Sequence, residues 1–312
     1  MDLSIIIPIY NEQENIPVLY NRLTKVAQSM SLSYELLFIN DGSADASLGM
    51  LIALSQSDSN VNYINLSRNF GHQIAVTAGI DNCKGDAVVI IDADLQDPPE
   101  LIVDLYSKMK AGFQVVYARR NLRSGESFMK KFTAKMFYRI LAKITSIKIP
   151  VDTGDFRIMN RKIVEVLKQM PEQQKYLRGQ IAWAGFNQTY IMYDRNERHA
   201  GSTGYTYKKM IRFALDGITG FSNLPLKFAT VTGFFVSGIT FLLSLYALYA
   251  RFVSKDYVPG WTSLILAVLF IGGVQLISIG IIGEYISRVS SNVRNRPLYI
   301  VSDSSCNVNE LP

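Results

Sequence analysis

Residues Val88–Gln96 read Val-Val-Ile-Ile-Asp-Ala-Asp-Leu-Gln. An apolar, β-branched run of this length predicts a strand buried on both faces of a parallel sheet. It stops abruptly at two carboxylates one residue apart. Open α/β sheets bind ligands outside the carboxyl ends of their strands. Strand side chains alternate with period two, so Asp92 and Asp94 are expected to point to one side, with Gln96 in the same register. They then repel each other unless a cation lies between them. Hard oxygen donors of this kind suit Mg²⁺ or Mn²⁺, which usually arrive with a substrate's phosphates. Asp97-Pro98-Pro99-Glu100 follows as a turn entering a helix.

Outward from this stretch, strand and helix patterns alternate. Strands are expected at Leu3–Ile9, Glu35–Asn40, Val61–Leu66, Val88–Ile91 and Val115–Ala118. Helices are expected at Gln13–Ser29, Ala44–Ser57, Gln73–Asn82 and Glu100–Ala111. The first helix has Leu19, Leu23, Val26 and Ala27 on one face. The fold class is therefore α/β, a mostly parallel sheet with helices on both faces. Neither a Gly-x-Gly-x-x-Gly after the first strand nor a Gly-x-x-x-x-Gly-Lys-Ser/Thr loop occurs, which disfavours a dehydrogenase fold or a P-loop enzyme.

The chain has 312 residues, 48% hydrophobic, with a net charge of +6. Its pI of 9.1 favours anionic partners, phosphates and anionic lipid among them. Cys83 and Cys306 form no disulfide framework and no metal-ligand spacing. No cleavable signal peptide is expected at the start. Phe228–Ala250 and Trp261–Gly283 carry no charge, and each meets the ~20-residue length of a membrane span. Lys208, Lys209, Arg212 and Lys227 precede this hairpin, and Arg288, Arg294 and Arg296 follow it, so both flanks are expected in the cytoplasm. Gly272, Gly273 and Gly280 permit close packing with copies of the same hairpin, so a homo-oligomer of unspecified number is compatible with the sequence. Residues 127–146 pattern as a basic amphipathic helix suited either to a membrane surface or to the protein's own core. The tail after Arg296 is polar and is expected to be poorly ordered apart from Pro297–Val301.

Four stretches resemble family 2 glycosyltransferases with the GT-A fold: Ile7-Pro8-Ile9-Tyr10-Asn11-Glu12, Asn40-Asp41-Gly42-Ser43, Asp92-Ala93-Asp94-Leu95-Gln96-Asp97-Pro98-Pro99-Glu100 and Asp152-Thr153-Gly154-Asp155-Phe156-Arg157. The C-terminal hairpin narrows the resemblance to polyprenyl-phosphate glycosyltransferases. Tyr176-Leu177-Arg178-Gly179 and Trp183-Ala184-Gly185-Phe186 look most like the bactoprenol glucosyltransferase branch. The resemblance implies a cytoplasmic GT-A catalytic domain over 1–205, a juxtamembrane amphipathic helix over 206–226, a transmembrane hairpin over 227–284 and a cytoplasmic tail over 285–312. Pro8, Tyr10, Asn11 and Glu12 would line the nucleotide pocket. Asp41 would meet the uracil or ribose, Asp92 the sugar donor, and Asp94 and Gln96 the metal.

Asp155 falls where this family places its base. A polyprenyl phosphate is already anionic at neutral pH, its second pKa being about 6, so its attack on the anomeric carbon needs cations more than a base. Arg119, Arg120, Arg157 and Arg198, with Ser202, are the candidates to hold the acceptor phosphate or the departing diphosphate, because Arg forks suit phosphate. His72 and His199 are expected to be hydrogen-bonding loop residues, not metal ligands. Gly204 stands where mannose synthases carry Lys, which favours a UDP-sugar over GDP-mannose. The expected activity is transfer of a hexose, with glucose first, from a UDP-sugar to a polyprenyl phosphate at the inner face of the cell membrane, with inversion and a Mg²⁺ or Mn²⁺ cofactor. Nucleic acid is not an expected partner. The alternatives are a GDP-mannose or UDP-aminoarabinose transferase, a processive polysaccharide synthase, a lipid-sugar flippase, or a nucleotide-binding scaffold without activity.

Overall fold

A computed structural model describes residues 1–121, 153–194, 224–249, 253 and 260–306. Strand β1 is Leu3–Ile9, β2 Tyr34–Asn40, β3 Val61–Leu66, β4 Ala87–Ile90, β5 Val115–Arg120, β6 Thr153–Asn160, β7 Gln188–Tyr193 and β8 Val301–Ser304. They form one sheet in the order β7-β5-β6-β4-β1-β2-β3-β8. β1 pairs in parallel with β2 and β4, β2 with β3, and β5 with β7. β6 runs antiparallel to β4 and β5, and β8 antiparallel to β3.

The helices divide between the two faces. Helices α1 (Ile16–Ser29), α2 (Ser47–Ser57) and α4 (Ile102–Lys110) cover one face, packing Leu19, Leu23, Leu51 and Leu105 against Ile5, Ile7 and Ile9. Helices α3 (His72–Asn82), α5 (Arg161–Lys168) and α6 (Leu177–Trp183) cover the other, packing Val76, Ile80, Val164 and Ile181 around Ile6, Leu37 and Ile39. Consecutive isoleucines of β1 thus serve opposite cores, which is why the strand is apolar throughout. Each such buried side chain contributes about 1.5–3 kcal/mol of hydrophobic stabilisation.

Three boundaries move for identifiable reasons. α2 begins at Ser47 and not Ala44, because the Ala44 and Ala46 amides donate to the side chains of Asn11 and Gln13 at 2.8 and 3.0 Å. α1 begins at Ile16 and not Gln13, since Asn15 and Ile16 donate to the Glu12 carbonyl in a turn. β4 ends at Ile90, so Asp92 and Asp94 lie in a turn, and the strand-alternation argument for their shared side does not apply.

The tail corrects a further expectation. Residues 301–304 are an ordered edge strand, with Asp303 accepting from the Tyr63 hydroxyl at 2.6 Å and Ser305 Oγ accepting from the Tyr63 amide at 2.8 Å. As an edge strand it needs no apolar run, and its Val-Ser-Asp-Ser sequence hides it. Helices α7 (Leu224–Tyr249) and α8 (Trp261–Arg294) contact each other and are long and apolar enough to cross a membrane. α8 continues helically well past Gly283, into residues first read as tail. The segments 127–146 and 206–223 lie outside the described residues.

Candidate active site

Strands β1 to β4 all point to one edge of the sheet. β6 enters that edge from the opposite direction, with Arg157 paired to Ile90 at the end of β4. Asp155, two residues earlier, therefore lies beyond β4 beside the acidic turn. His72, the first residue of α3, bridges the two acids: its Nε2 is 3.2 Å from Asp155 Oδ2 and 3.6 Å from Asp92 Oδ1. The other oxygen of Asp155 accepts from Arg157 Nη2 at 2.8 Å and from Arg178 Nε, on α6, at 3.1 Å. Three cationic side chains from three elements converge on one carboxylate.

The electrostatics follow from that convergence. Burial alone would raise Asp155, but Arg178, the His72 hydrogen bond and Arg157 outweigh it and hold the carboxyl well below its usual range. Desolvation disfavours a charged His72, yet the Asp155 hydrogen bond and the nearby Asp92 charge push it up to about 9. Burial, reinforced by the charges of Asp155, Asp97 and Asp94, pushes Asp92 up to about 6 against the pull of His72. Asp92 Oδ1 is buried and accepts no hydrogen bond among the described residues. A buried carboxylate oxygen without a donor, two residues from another acid, fits a divalent cation. Among the described residues no group of three or more His, Cys, Asp or Glu could cage an ion alone. An ion held by one or two carboxylates and completed by substrate phosphates is the usual arrangement for Mg²⁺.

The nucleotide side of the cleft is laced together by its loops. Asn11, at φ 56°, donates its amide to Ser43 Oγ at 2.9 Å, and Glu12 donates to Ser47 Oγ at 3.0 Å. Tyr10 is half exposed at the rim. Asp41 is buried and accepts from the amides of Phe70 and Gly71 at 2.7 and 3.0 Å. Burial raises its pKa while those two amides oppose the rise. Asp41 thus braces the loop that delivers His72. Gly42 at φ +66° makes this possible, since a Cβ there would lie 2.6 Å from the Arg68 carbonyl carbon.

Residues 4–168 match Glycosyl transferase family 2, and residues 224–289 match the GtrB C-terminal hairpin. The chain belongs to glycosyl transferase family 2. It is 48% identical to an uncharacterized glycosyltransferase, sll0501, of Synechocystis over 97% of this chain and 95% of that one. It is 49% identical to the uncharacterized glycosyltransferase YkcC of Bacillus subtilis over 96% and 93%. It is also 42% identical to the SfII prophage-derived bactoprenol glucosyl transferase of Shigella flexneri over 97% and 98%. The protein is thus a glycosyltransferase with a mixed GT-A sheet and a C-terminal apolar hairpin of the GtrB type.

Within this family frame the expected residues divide. Pro8, Tyr10, Asn11, Glu12, Asp41, Asp92, Asp94, Gln96 and Asp155 all lie at the one sheet edge. Asp94 is buried, with Oδ1 accepting from the Gln96 amide at 3.1 Å. Two of the expected arginines have partners within the protein. Arg157 is 1% exposed, and its Nε and Nη2 donate to Asp155 and to the Gly154 and Asp155 carbonyls, while its buried Nη1 has no hydrogen-bond partner among the described residues. Arg120, partly exposed, brings Nη2 to 3.8 Å from Oδ2 of the buried Asp97. Arg119 stacks over Tyr190 at 4.8 Å. Arg198, His199 and Ser202 lie outside the described residues.

The sequence reading missed Arg178 as a site residue, although it quoted the motif that contains it. It named His72 without placing it between the acids. Both gaps have one cause: the contacts join residues 23 and 83 positions from Asp155, and no local period encodes them.

Proposed function

We propose that the protein transfers a hexose, with glucose favoured, from a UDP-sugar to a polyprenyl phosphate at the cytoplasmic membrane face, with inversion. The observation that carries this reading is the state of Asp155. Both its oxygens are engaged by His72, Arg157 and Arg178. A carboxylate so held is a poor base, because any proton it took would displace a cation. Hydroxyl acceptors need a base, whereas an acceptor phosphate does not. The name of the Shigella flexneri relative, a bactoprenol glucosyl transferase, supports the same acceptor and sugar.

In this reading Tyr10 and Pro8 line the base and ribose, and Asp41 sets the opposite wall. Asp92, Asp94 and Gln96 hold a divalent cation, Mg²⁺ or Mn²⁺, which when bound neutralises the departing diphosphate. Asp155 keeps His72 and Arg178 aimed across the cleft, where their charge offsets repulsion between acceptor phosphate and donor diphosphate. Lipid access is supported by the far end of α8, where Asn292 Oδ1 accepts from the Gln173 amide at 3.1 Å, five residues before Arg178. The basic flanks of the hairpin favour both termini in the cytoplasm.

The test is a panel of radiolabelled UDP- and GDP-sugars, each offered undecaprenyl phosphate with protein in detergent. UDP-glucose with Mg²⁺ or Mn²⁺ is expected to give labelled lipid, and chelation to abolish it. Transfer only to a free sugar hydroxyl, with none to the lipid phosphate, would overturn the proposal.

A further inference from the structure

We propose that Arg120 and Tyr193 are positioning residues for the acidic loop: with Asp97 they form a buried clamp that keeps residues 92–97 in the shape that binds a divalent cation and nucleoside diphosphate. The clamp's purpose rests on the function proposed above; its geometry does not.

Asp97 is fully buried. Its partners come from two other strands. The Tyr193 hydroxyl, at the end of β7, donates to Asp97 Oδ1. Arg120 Nη2, at the end of β5, lies 3.8 Å from Asp97 Oδ2, and Arg120 Nε donates to the Tyr193 hydroxyl oxygen at 3.3 Å. Carboxylate, phenol and guanidinium close a triangle. Burial and the Asp97 charge hold the Tyr193 proton well above its usual pKa, so the hydroxyl stays a donor. The ring of Tyr193 is fixed edge-on against Phe156, with centroids 6.4 Å apart at 85°. Arg120 also packs closely on the β6 backbone at Gly154, where a Cβ would lie 2.8 Å from Nη2 and the guanidinium would have to shift.

What the triangle restrains is strained. Leu95, between Asp94 and Asp97, has φ +58°, in the left-handed region that a branched residue rarely adopts, and its side chain is buried in the core. Such a conformation persists only where the surroundings fix it on both sides. The Leu95 side chain provides one restraint and the Asp97 clamp, two residues on, the other. Released from the clamp, the turn relaxes at Leu95 and moves Asp94 with it. A phosphate that drew Arg120 away would take a cation from the fully buried Asp97, which is why Arg120 serves the loop and not the substrate.

The experiment measures binding, not turnover. Mn²⁺ uptake by the full-length protein with UDP is followed by the loss of the free-ion electron paramagnetic resonance signal, alongside Tm. Tyr193→Phe keeps the ring and removes the donor; it is expected to weaken Mn²⁺–UDP binding about tenfold, the scale of losing an outer-shell partner, with Tm little changed. Arg120→Lys keeps the cation without the fork and should weaken binding less; it carries the same test if Tyr193→Phe does not fold. Arg22→Gln, which breaks the exposed pair with Glu100 just beyond the loop, should leave binding unchanged. Unaltered Mn²⁺–UDP affinity in both clamp variants would make the triangle purely structural and overturn the proposal. A wild-type protein that binds no Mn²⁺ with UDP would instead overturn the function reading, and the clamp's metal role with it.

Discussion

At the scale of single residues, Asp94 and Asp155 are distinguished by their surroundings. Asp94→Ala is expected to lower transfer on the order of 100-fold, the usual scale for losing one preorganised electrostatic contact. Asp155→Asn should retain more activity per folded molecule, yet be the less stable variant. It removes a charge facing the buried Arg157, and breaking a buried ion pair costs about 3 kcal/mol or more. Labelled-sugar transfer normalised to folded protein, with Tm for each variant, checks both halves; the reverse order of activity would return Asp155 to the role of base. Gly42→Ala offers a backbone test. The positive φ alone costs about 1 kcal/mol, and the contact with the Arg68 backbone adds to it. Because Asp41 next to it steers the loop before His72, the expected outcome is a lower Tm together with weaker UDP binding.

At the scale of elements, β8 provides a pH-dependent signature. The hydrogen bond to Asp303, with burial, pushes the Tyr63 hydroxyl up to about 12 from an unfolded value near 10. The folded state therefore holds this proton more tightly than the unfolded chain. Its contribution to stability is complete below pH 10 and disappears as pH rises from 10 towards 12. Tm followed from pH 8.5 to 11.5 should fall more steeply for the wild type than for Tyr63→Phe; parallel curves would exclude the bond. This strand also marks how far the sequence is legible. β1 was readable to the residue because of its run of isoleucines, β3 because β-branched and aromatic residues recur between its two asparagines, and the hairpin because absence of charge over such lengths is rare. β8 was not, since an edge strand takes its order from its partner. The acidic motif was legible as chemistry but not as geometry: β4 stops at Ile90, and the turn at Leu95 is held by side chains from β5 and β7.

At the scale of the whole molecule, the chain leaves the sheet, passes through the hairpin and returns to add the last strand. A chain stopped at residue 223 to obtain a soluble enzyme would also discard β8 and bare the edge of β3, an invitation to intermolecular pairing. A version in which a flexible linker replaces 224–294 and residues 295–312 are kept should remain monodisperse, while the truncation self-associates; light scattering of the two proteins measures this, and equal behaviour would remove β8 from any protective role.

The length of α8 has a last consequence. Thirty-four residues rise about 51 Å, against a hydrocarbon thickness of about 30 Å, so if α8 crosses the membrane as proposed above, roughly four turns stand clear of the lipid. That stalk meets the catalytic body at Gln173, in the loop between α5 and α6, and hands the chain on to β8 at the sheet's edge, giving two separate moorings. A body moored twice has little freedom to tilt or spin. Under the proposed function its reaction centre would keep a constant altitude over the bilayer, so that the lipid reactant searches in a plane, the sugar donor in volume, and they meet at a height the stalk determines.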